Sequence, residues 1–159
     1  MKSPAESSRA DQAFLARLAQ LSGARCDEDA LALVLQHFRA ASGTLHRLRD
    51  GVLQLSAHSP GIPPQVLEVI RVVPIGKGMA GLAAERRAPV TACNLQTDQS
   101  GDVRPGARAT GLKGSLVVPL LADGELHGTL GIGNLEEREF TPAETELLLA
   151  AGGVLARVG

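Results

Sequence analysis

The sequence predicts an α+β domain in which helices pack against a central, largely antiparallel sheet. Three observations carry this. Helical periodicity marks both ends of the chain. Two Asp-Gly pairs, Asp50-Gly51 and Asp123-Gly124, each divide two strand-like runs, which is the strongest short-range hairpin signal. Thr141-Pro142-Ala143-Glu144 is a full helix start: Thr141 as N-cap, Pro142 at the first helical position, Glu144 closing a capping box. A chain of 159 residues with 44% apolar residues can supply the core of one such domain.

The elements follow in order. Residues 1–10 are polar and are expected to form a disordered tail, leaving 11–159 as a single domain. Phe14, Leu18 and Leu21 repeat at helical spacing, and that helix should end near Gly23. Asp27 is expected to cap a second helix, with Glu28 and Asp29 at its positive end. Leu31, Val34, Leu35 and Phe38 form its apolar stripe, and it should stop around Ser42-Gly43. The runs 44–49 and 52–56 are strands of the first hairpin, and Ser59–Pro64 is a loop. Residues 66–73 read as a strand interrupted by Pro74, followed by a short helix to about Arg87 and a brief strand at Pro89–Cys93. The polar, Gly-rich stretch 94–112 carries a short helical piece at Pro105–Thr110. Ser115–Leu121 is a buried strand that Asp123-Gly124 returns into Glu125–Gly133. Leu147, Leu148, Ala151, Val154 and Leu155 give the last helix its apolar face.

Composition narrows the function. Sixteen basic and 17 acidic residues are spread evenly for a net charge of −1, so no basic stripe marks a nucleic-acid partner. No apolar run reaches the roughly 18 residues of a membrane span, and the polar N-terminus lacks a signal-peptide core. The expected location is the cytoplasm, with no membrane partner. Cys26 and Cys93 form no C-x-x-C, and His37, His46, His58 and His127 are scattered, so no structural zinc is expected. With no Trp, no Tyr and 3 Phe, flat or cationic ligands lose their usual aromatic platforms.

Gly76-Lys77-Gly78-Met79-Ala80-Gly81 has the G-x-G-x-x-G spacing of the dinucleotide fingerprint, with Asp98 or Asp102 at a suitable distance. Its context argues against that role. The fingerprint needs a parallel βαβ unit with a sizeable crossover helix. Here Pro74 separates strand from glycines, the helix has about two turns, and hairpins follow. A Walker-type phosphate loop also fails, because Gly78 stands where Ser or Thr is needed. The glycines instead serve turn geometry and close packing.

From Ile75 onward the order of segments resembles the GAF domain family. Ile75–Glu85 is similar to its turn and short helix, and Ala88-Pro89-Val90 to its next strand. Gly111–Leu120 is similar to its central strand, Asp123–Ile132 to the one after, and Phe140–Glu144 to the start of its last helix. With the two N-terminal helices the resemblance spans nearly the whole chain. It implies a sheet whose N- and C-terminal helices cover one face, with short helices and loops roofing a ligand pocket on the other.

The resemblance implies a small-molecule-sensing regulatory module that signals through its terminal helices to an effector. The cyclic-nucleotide pattern is broken: Asn134 and Phe140 match, but Leu135 and Glu144-Thr145 do not. Bilin attachment needs a cysteine that residues 100–114 lack. The branch that reduces free methionine sulfoxide matches over 76–84. Its cysteines fall on Ala80 and Arg108, and its carboxylates on Ser115, Gly131 and Gly133, so that activity is not expected. A reductase-like thiol enzyme and a dimerisation module with a vestigial pocket are the alternatives. Haem stays open through His127, His46 or His58, although the shortage of aromatics counts against it.

Alternation places His127, Thr129, Gly131 and Gly133 on one face with Ser115, Val117 and Pro119, and points Leu126, Leu130 and Ile132 towards the helices. With Met79, Leu82 and Cys93, these residues describe a small, mostly apolar cavity. Arg104, Arg108 and Lys113 could face its mouth and favour an anion. His127 reads either as a core histidine bonded to backbone or as a ligand contact, pH-sensitive element or metal ligand. Cys93 reads as a buried, inert thiol or a redox group. Gly152-Gly153 inside the last helix suits close approach by a second helix, so a homodimer is expected.

Overall fold

Two helices lead the chain, α1 (Pro4–Ala19) and α2 (Cys26–Phe38). The hairpin β1 (Ser42–Arg49)–β2 (Val52–His58) follows, then α3 (Pro64–Ile70), the short β3 (Val72–Val73), α4 (Gly78–Arg86) and β4 (Val90–Ala92). A second hairpin, β5 (Ser115–Ala122)–β6 (Glu125–Gly133), leads into α5 (Pro142–Ala156). The structure is a computed structural model and describes residues 4–97 and 111–158; the helical piece expected at Pro105–Thr110, Arg104 and Arg108 lie outside them.

Both Asp-Gly pairs are the hairpin turns they were expected to be. Asp50 and Gly51 have φ of 54° and 78°, and Asp123 and Gly124 have φ of 53° and 78°. Two successive left-handed residues match the twist of the flanking strands. The hairpins meet where β1 pairs with β6. The sheet order is β3-β2-β1-β6-β5-β4, with every neighbouring pair antiparallel.

Three expectations change. Helix α1 begins at Pro4, so residues 4–10 continue it rather than forming a disordered tail. Pro4 suits a helix's first turn, and Ala and Glu follow it. Helix α2 starts at Cys26 with Arg25 at the cap position and no side-chain capping bond, so Asp27 sits inside the first turn instead of capping it. Residues 64–70 form α3, not a strand. Its β-branched valines read as β, but Pro64 sets a helical start, and only Val72–Val73 pair with β2.

Helices α1, α2 and α5 cover one sheet face. Leu18, Val34, Leu148 and Leu155 meet Leu45, Leu116, Val118, Leu130 and Ile132 there in a single core. Burying each leucine stabilises by about 2 kcal/mol. Helix α5 starts on the expected capping box: Glu144 N donates to Thr141 Oγ1 at 3.1 Å, and Thr141 N donates to the Glu144 carboxylate at 2.9 Å. It then lies close on β5. A Cβ on Gly152 would fall 2.9 Å from Pro119 O, and one on Gly153 would fall 3.5 Å from Leu121 O. The two glycines expected to admit a second subunit's helix therefore face the chain's own strand.

Arg47 joins β1, α2 and α5. Its Nε and Nη2 donate to the Asp27 carboxylate at 2.9 and 2.6 Å, while Nη1 and Nη2 donate to Leu155 O at 2.8 Å and Val158 O at 2.9 Å. A cation is thus fixed at the negative end of α5. Burial raises the Asp27 carboxyl, but bonds from Arg47 and Ser56 outweigh it and hold the group below its ordinary 3.8. A group of depressed pKa adds stability above its unfolded value and loses it as pH falls through the folded one. We expect Arg47→Met to lower stability at pH 7 by about 3 kcal/mol. The gap to wild type should narrow as pH drops below 3.8 in urea unfolding. Gly153→Ala should gain up to about 1 kcal/mol from helix propensity, whereas Gly152→Ala should lose stability against the β5 backbone.

Candidate functional site

The sheet face opposite the core carries a cavity of about 550 Å³. Its floor is Thr44 and His46 of β1, Gly131 and Gly133 of β6, and Ser115 and Val117 of β5. Val66, Val69 and Ile70 of α3 form one wall, and Leu95 and Leu112 another. The roof is the start of α4, with Gly78, Met79 and Ala80 in the lining and the exposed Lys77 at its rim.

The G-x-G-x-x-G segment builds that roof by backbone geometry. Gly76 and Gly78 have φ of 89° and 66°, which a side chain would oppose. A Cβ on Gly81 would fall 2.5 Å from Pro74 O, so the helix can fold back on its own entry turn only with glycine there. Beneath the roof, a Cβ on Gly131 would lie 3.2 Å from Val117 and 3.5 Å from Thr44. A side chain at this position would crowd Val117 on the floor.

His46 is the polar group that stands out. It is 2% exposed, and its Cα partner across the sheet is Thr129, 1% exposed. The ring bonds Ile70 O from Nε2 at 2.9 Å. A carbonyl can only accept, so Nε2 carries the proton and Nδ1 presents a lone pair. That Nδ1 and Thr129 Oγ1 are buried without a hydrogen-bond partner among the described residues. Burial pushes the imidazole pKa below its ordinary 6.5, and the Ile70 bond only partly opposes this. His46 is therefore neutral at physiological pH. The two serine hydroxyls of the lining are already engaged: Ser42 Oγ with Ser59 Oγ at 2.9 Å, and Ser115 Oγ donating to Ile132 O at 3.1 Å.

Of the residues singled out from sequence, Met79, Ser115, Val117 and Gly131 line the cavity. Thr129 lies on the same sheet face, buried beside His46. Leu82, Cys93 and His127 do not line it. Leu82 turns sideways to pack with Ala83, Val90 and Val117. Cys93 lies just past the end of β4 and is exposed.

His127 is displaced by a β-bulge. Leu120 pairs with Gly128 but Leu121 pairs with Leu126, which leaves His127 unopposed. One extra residue reverses the alternation upstream of it. Leu126, expected to face the helices, packs instead with Leu53, Val73 and Ala84 on the cavity side. Lys113, expected at the mouth, donates its backbone N–H to Asn134 O at 2.7 Å and is half-buried outside the lining.

His46 was legible as a strand histidine and as one of three histidines considered for haem. Its place at the cavity follows from the β1–β6 pairing, which no local pattern announces.

Among the described residues the donor set does not fit a metal centre. No cluster of three or more His, Cys, Asp or Glu forms among the described residues. Haem fits poorly too. Of the three histidines considered, His46 alone lines the cavity, and its Nε2 is held by Ile70 O.

A family model of the GAF domain matches residues 28–158, and the chain belongs to that family. Solved structures agree on the fold. A GAF domain of a phosphoenolpyruvate-protein phosphotransferase from Coxiella burnetii is 21% identical, with a TM-score of 0.76 over 95% of this chain and 90% of that one. The corresponding domain from Acinetobacter is 18% identical, TM-score 0.75, over 93% and 91%. A free methionine-R-sulfoxide reductase from Neisseria meningitidis, in complex with its substrate, is 16% identical, TM-score 0.77, over 99% and 91%. No protein of curated function matches the chain. Among the described residues no helix is long and apolar enough to cross a membrane.

A histidine whose folded pKa is lowered costs stability as pH falls, because the unfolded chain binds the proton more readily. Urea-unfolding stability should therefore drop as pH falls below 6.5. His46→Gln, which keeps a donor for Ile70 O, should flatten that slope.

Proposed function

We propose that this domain senses a small molecule in the cavity and relays its presence to the terminal helices. The observation that carries the reading is the cavity: about 550 Å³ with mostly apolar walls, assembled from six elements and the loops between them. That volume lies within the roughly 300–1,000 Å³ of small-molecule sites and is far larger than a packing defect.

A short path leads outward. His46 faces the cavity, and the next residue, Arg47, holds the final carbonyls around the end of α5. Val117 lines the cavity while its neighbour Val118 packs in the helix-side core. A ligand that favours one placement of β1 or β5 would bias α5 to the extent that it binds that placement better.

A thiol enzyme of the reductase type is the second reading, and the sites of the two thiols support it less. Cys26 is buried at the start of α2, where burial and then the Asp27 charge push its pKa up. Cys93 is exposed outside the lining. A dimerisation module loses its main support because Gly152 and Gly153 face β5.

Val117→Phe fills the cavity from its floor and gives the test. A thermal-shift screen should find compounds that stabilise wild type and leave Val117→Phe unmoved. At a hundredfold excess over Kd the gain is about 2.7 kcal/mol, or roughly 5–10 °C in Tm. The same compounds should change hydrogen exchange in α5. If none distinguishes the two proteins, the sensor reading fails.

A further inference from the structure

We propose that the cavity takes an uncharged, largely apolar molecule bearing a carbonyl-type oxygen, and that the Thr44 hydroxyl is the floor donor that reads this oxygen. The inference rests on the ligand-binding reading above and specifies the chemistry of its ligand.

Alternation along β1 turns Thr44 towards the cavity. Its neighbours Gly43 and Leu45 face the helices: a Cβ on Gly43 would meet Leu31 and Leu35 of α2, and Leu45 belongs to the helix-side core. Thr44 therefore points to the other face, where it lines the cavity. Its partner across the sheet is Gly131. Thr44 Oγ1 lies 3.5 Å from where a Gly131 Cβ would stand, and the Val117 methyls lie 3.2 and 3.9 Å from that same point. Gly131 and Val117 both line the cavity, so the hydroxyl sits among floor atoms.

The hydroxyl is accessible and unbonded. Thr44 is half-buried, and its side chain makes no hydrogen bond among the described residues. Among these residues, the buried side-chain polar atoms without a partner are His46 Nδ1 and Thr129 Oγ1. Those two atoms are sealed from a ligand, whereas Thr44 Oγ1 keeps surface that a ligand can touch. Ser42 and Ser115 are already bonded to Ser59 and Ile132.

The surroundings set the polarity of the ligand. The Thr44 proton has no acceptor within the described protein. A ligand oxygen supplies one, and so avoids the cost of covering an unmet donor. The floor residues Thr44, His46, Ser115, Val117, Gly131 and Gly133 carry no charge at physiological pH. A carboxylate or ammonium placed there would lose its water without gaining a partner ion, whereas a carbonyl needs only one donor. Lys77, the charged residue of the lining, is exposed at the rim. Val66, Ile70, Leu95 and Leu112 offer aliphatic walls to the apolar body.

Two probes of matched shape test the proposal by NMR titration. Cyclohexanone carries the carbonyl, and methylenecyclohexane has a CH₂ in place of its oxygen. Both are titrated into wild type, Thr44→Val and Thr44→Ser. Valine keeps the shape of the side chain and removes the hydroxyl, while serine keeps the hydroxyl. Comparing the ratio of the two Kd values between proteins cancels the different hydration of the probes. In Thr44→Val the ratio should move about fivefold against the ketone, the worth of one net hydrogen bond. In Thr44→Ser it should stay at the wild-type value. In wild type the carbonyl carbon of bound cyclohexanone should resonate downfield of its position in hexane, as a hydrogen-bonded carbonyl does.

An unchanged ratio in Thr44→Val, or a hexane-like carbonyl resonance in wild type, overturns the role of Thr44 and leaves the cavity reading standing. Binding of neither probe to wild type overturns both. The carbonyl resonance is read on wild type and does not depend on a variant folding.

Discussion

Strand β6 runs between β1 and β5 and brings Gly128, Gly131 and Gly133 to the middle of the sheet. A Cβ on Gly128 would fall 2.0 Å from His46 O, so β1 can approach β6 at the bulge only because that atom is missing. Three pairs further on, Gly131 lines the cavity floor, where a Cβ would crowd Val117 at 3.2 Å. One strand thus sets both how tightly the sheet closes and where it opens into a cavity. The bulge beside Gly128 adds a third effect by changing which face each upstream residue occupies. The placement of His46, the depth of the cavity floor and the exclusion of His127 all follow from this strand.

The central sheet separates two different chemistries. On the helix face the polar groups are satisfied. Arg47 meets Asp27 and the carbonyls of Leu155 and Val158, and Arg138 meets Phe38 O, Asn134 and Glu144. On the other face, one residue along the strand, His46 is buried with half its hydrogen-bonding capacity unused. A saturated network holds helices in place. The unsaturated group lies beneath a mostly apolar cavity. Alternation on β1 sets these roles on adjacent residues.

The reductase among the structural relatives shares the fold with the phosphotransferase GAF domains, so fold similarity alone does not select between catalysis and sensing. The sensor reading rests on side chains. Residues 76–84 keep the backbone of the roof and put Ala80 in the wall, while both thiols lie elsewhere. The G-x-G-x-x-G spacing is real and its glycines are needed, but for the turn from Pro74 into α4 rather than for a phosphate.

The sequence by itself determined the hairpins, the start of α5, the helix stripes and the family. Each rests on contacts within a few residues: an Asp-Gly turn, a capping box, a repeat at helical spacing. It also placed Met79, Ser115, Val117 and Gly131 at the cavity, because alternation holds along an unbroken strand. It failed where a local signal was outweighed. The β-branched run 66–70 became α3, and Asp27 served Arg47 instead of its own helix end. Only the tertiary structure decided the bulge at His127, the inward turn of Gly152 and the pairing of His46 with Thr129. The physical reason is common to all three. Register between strands far apart in the chain, and the packing of a helix on a strand, are set by close backbone contacts between distant residues. Those distances are not written in any short stretch of sequence.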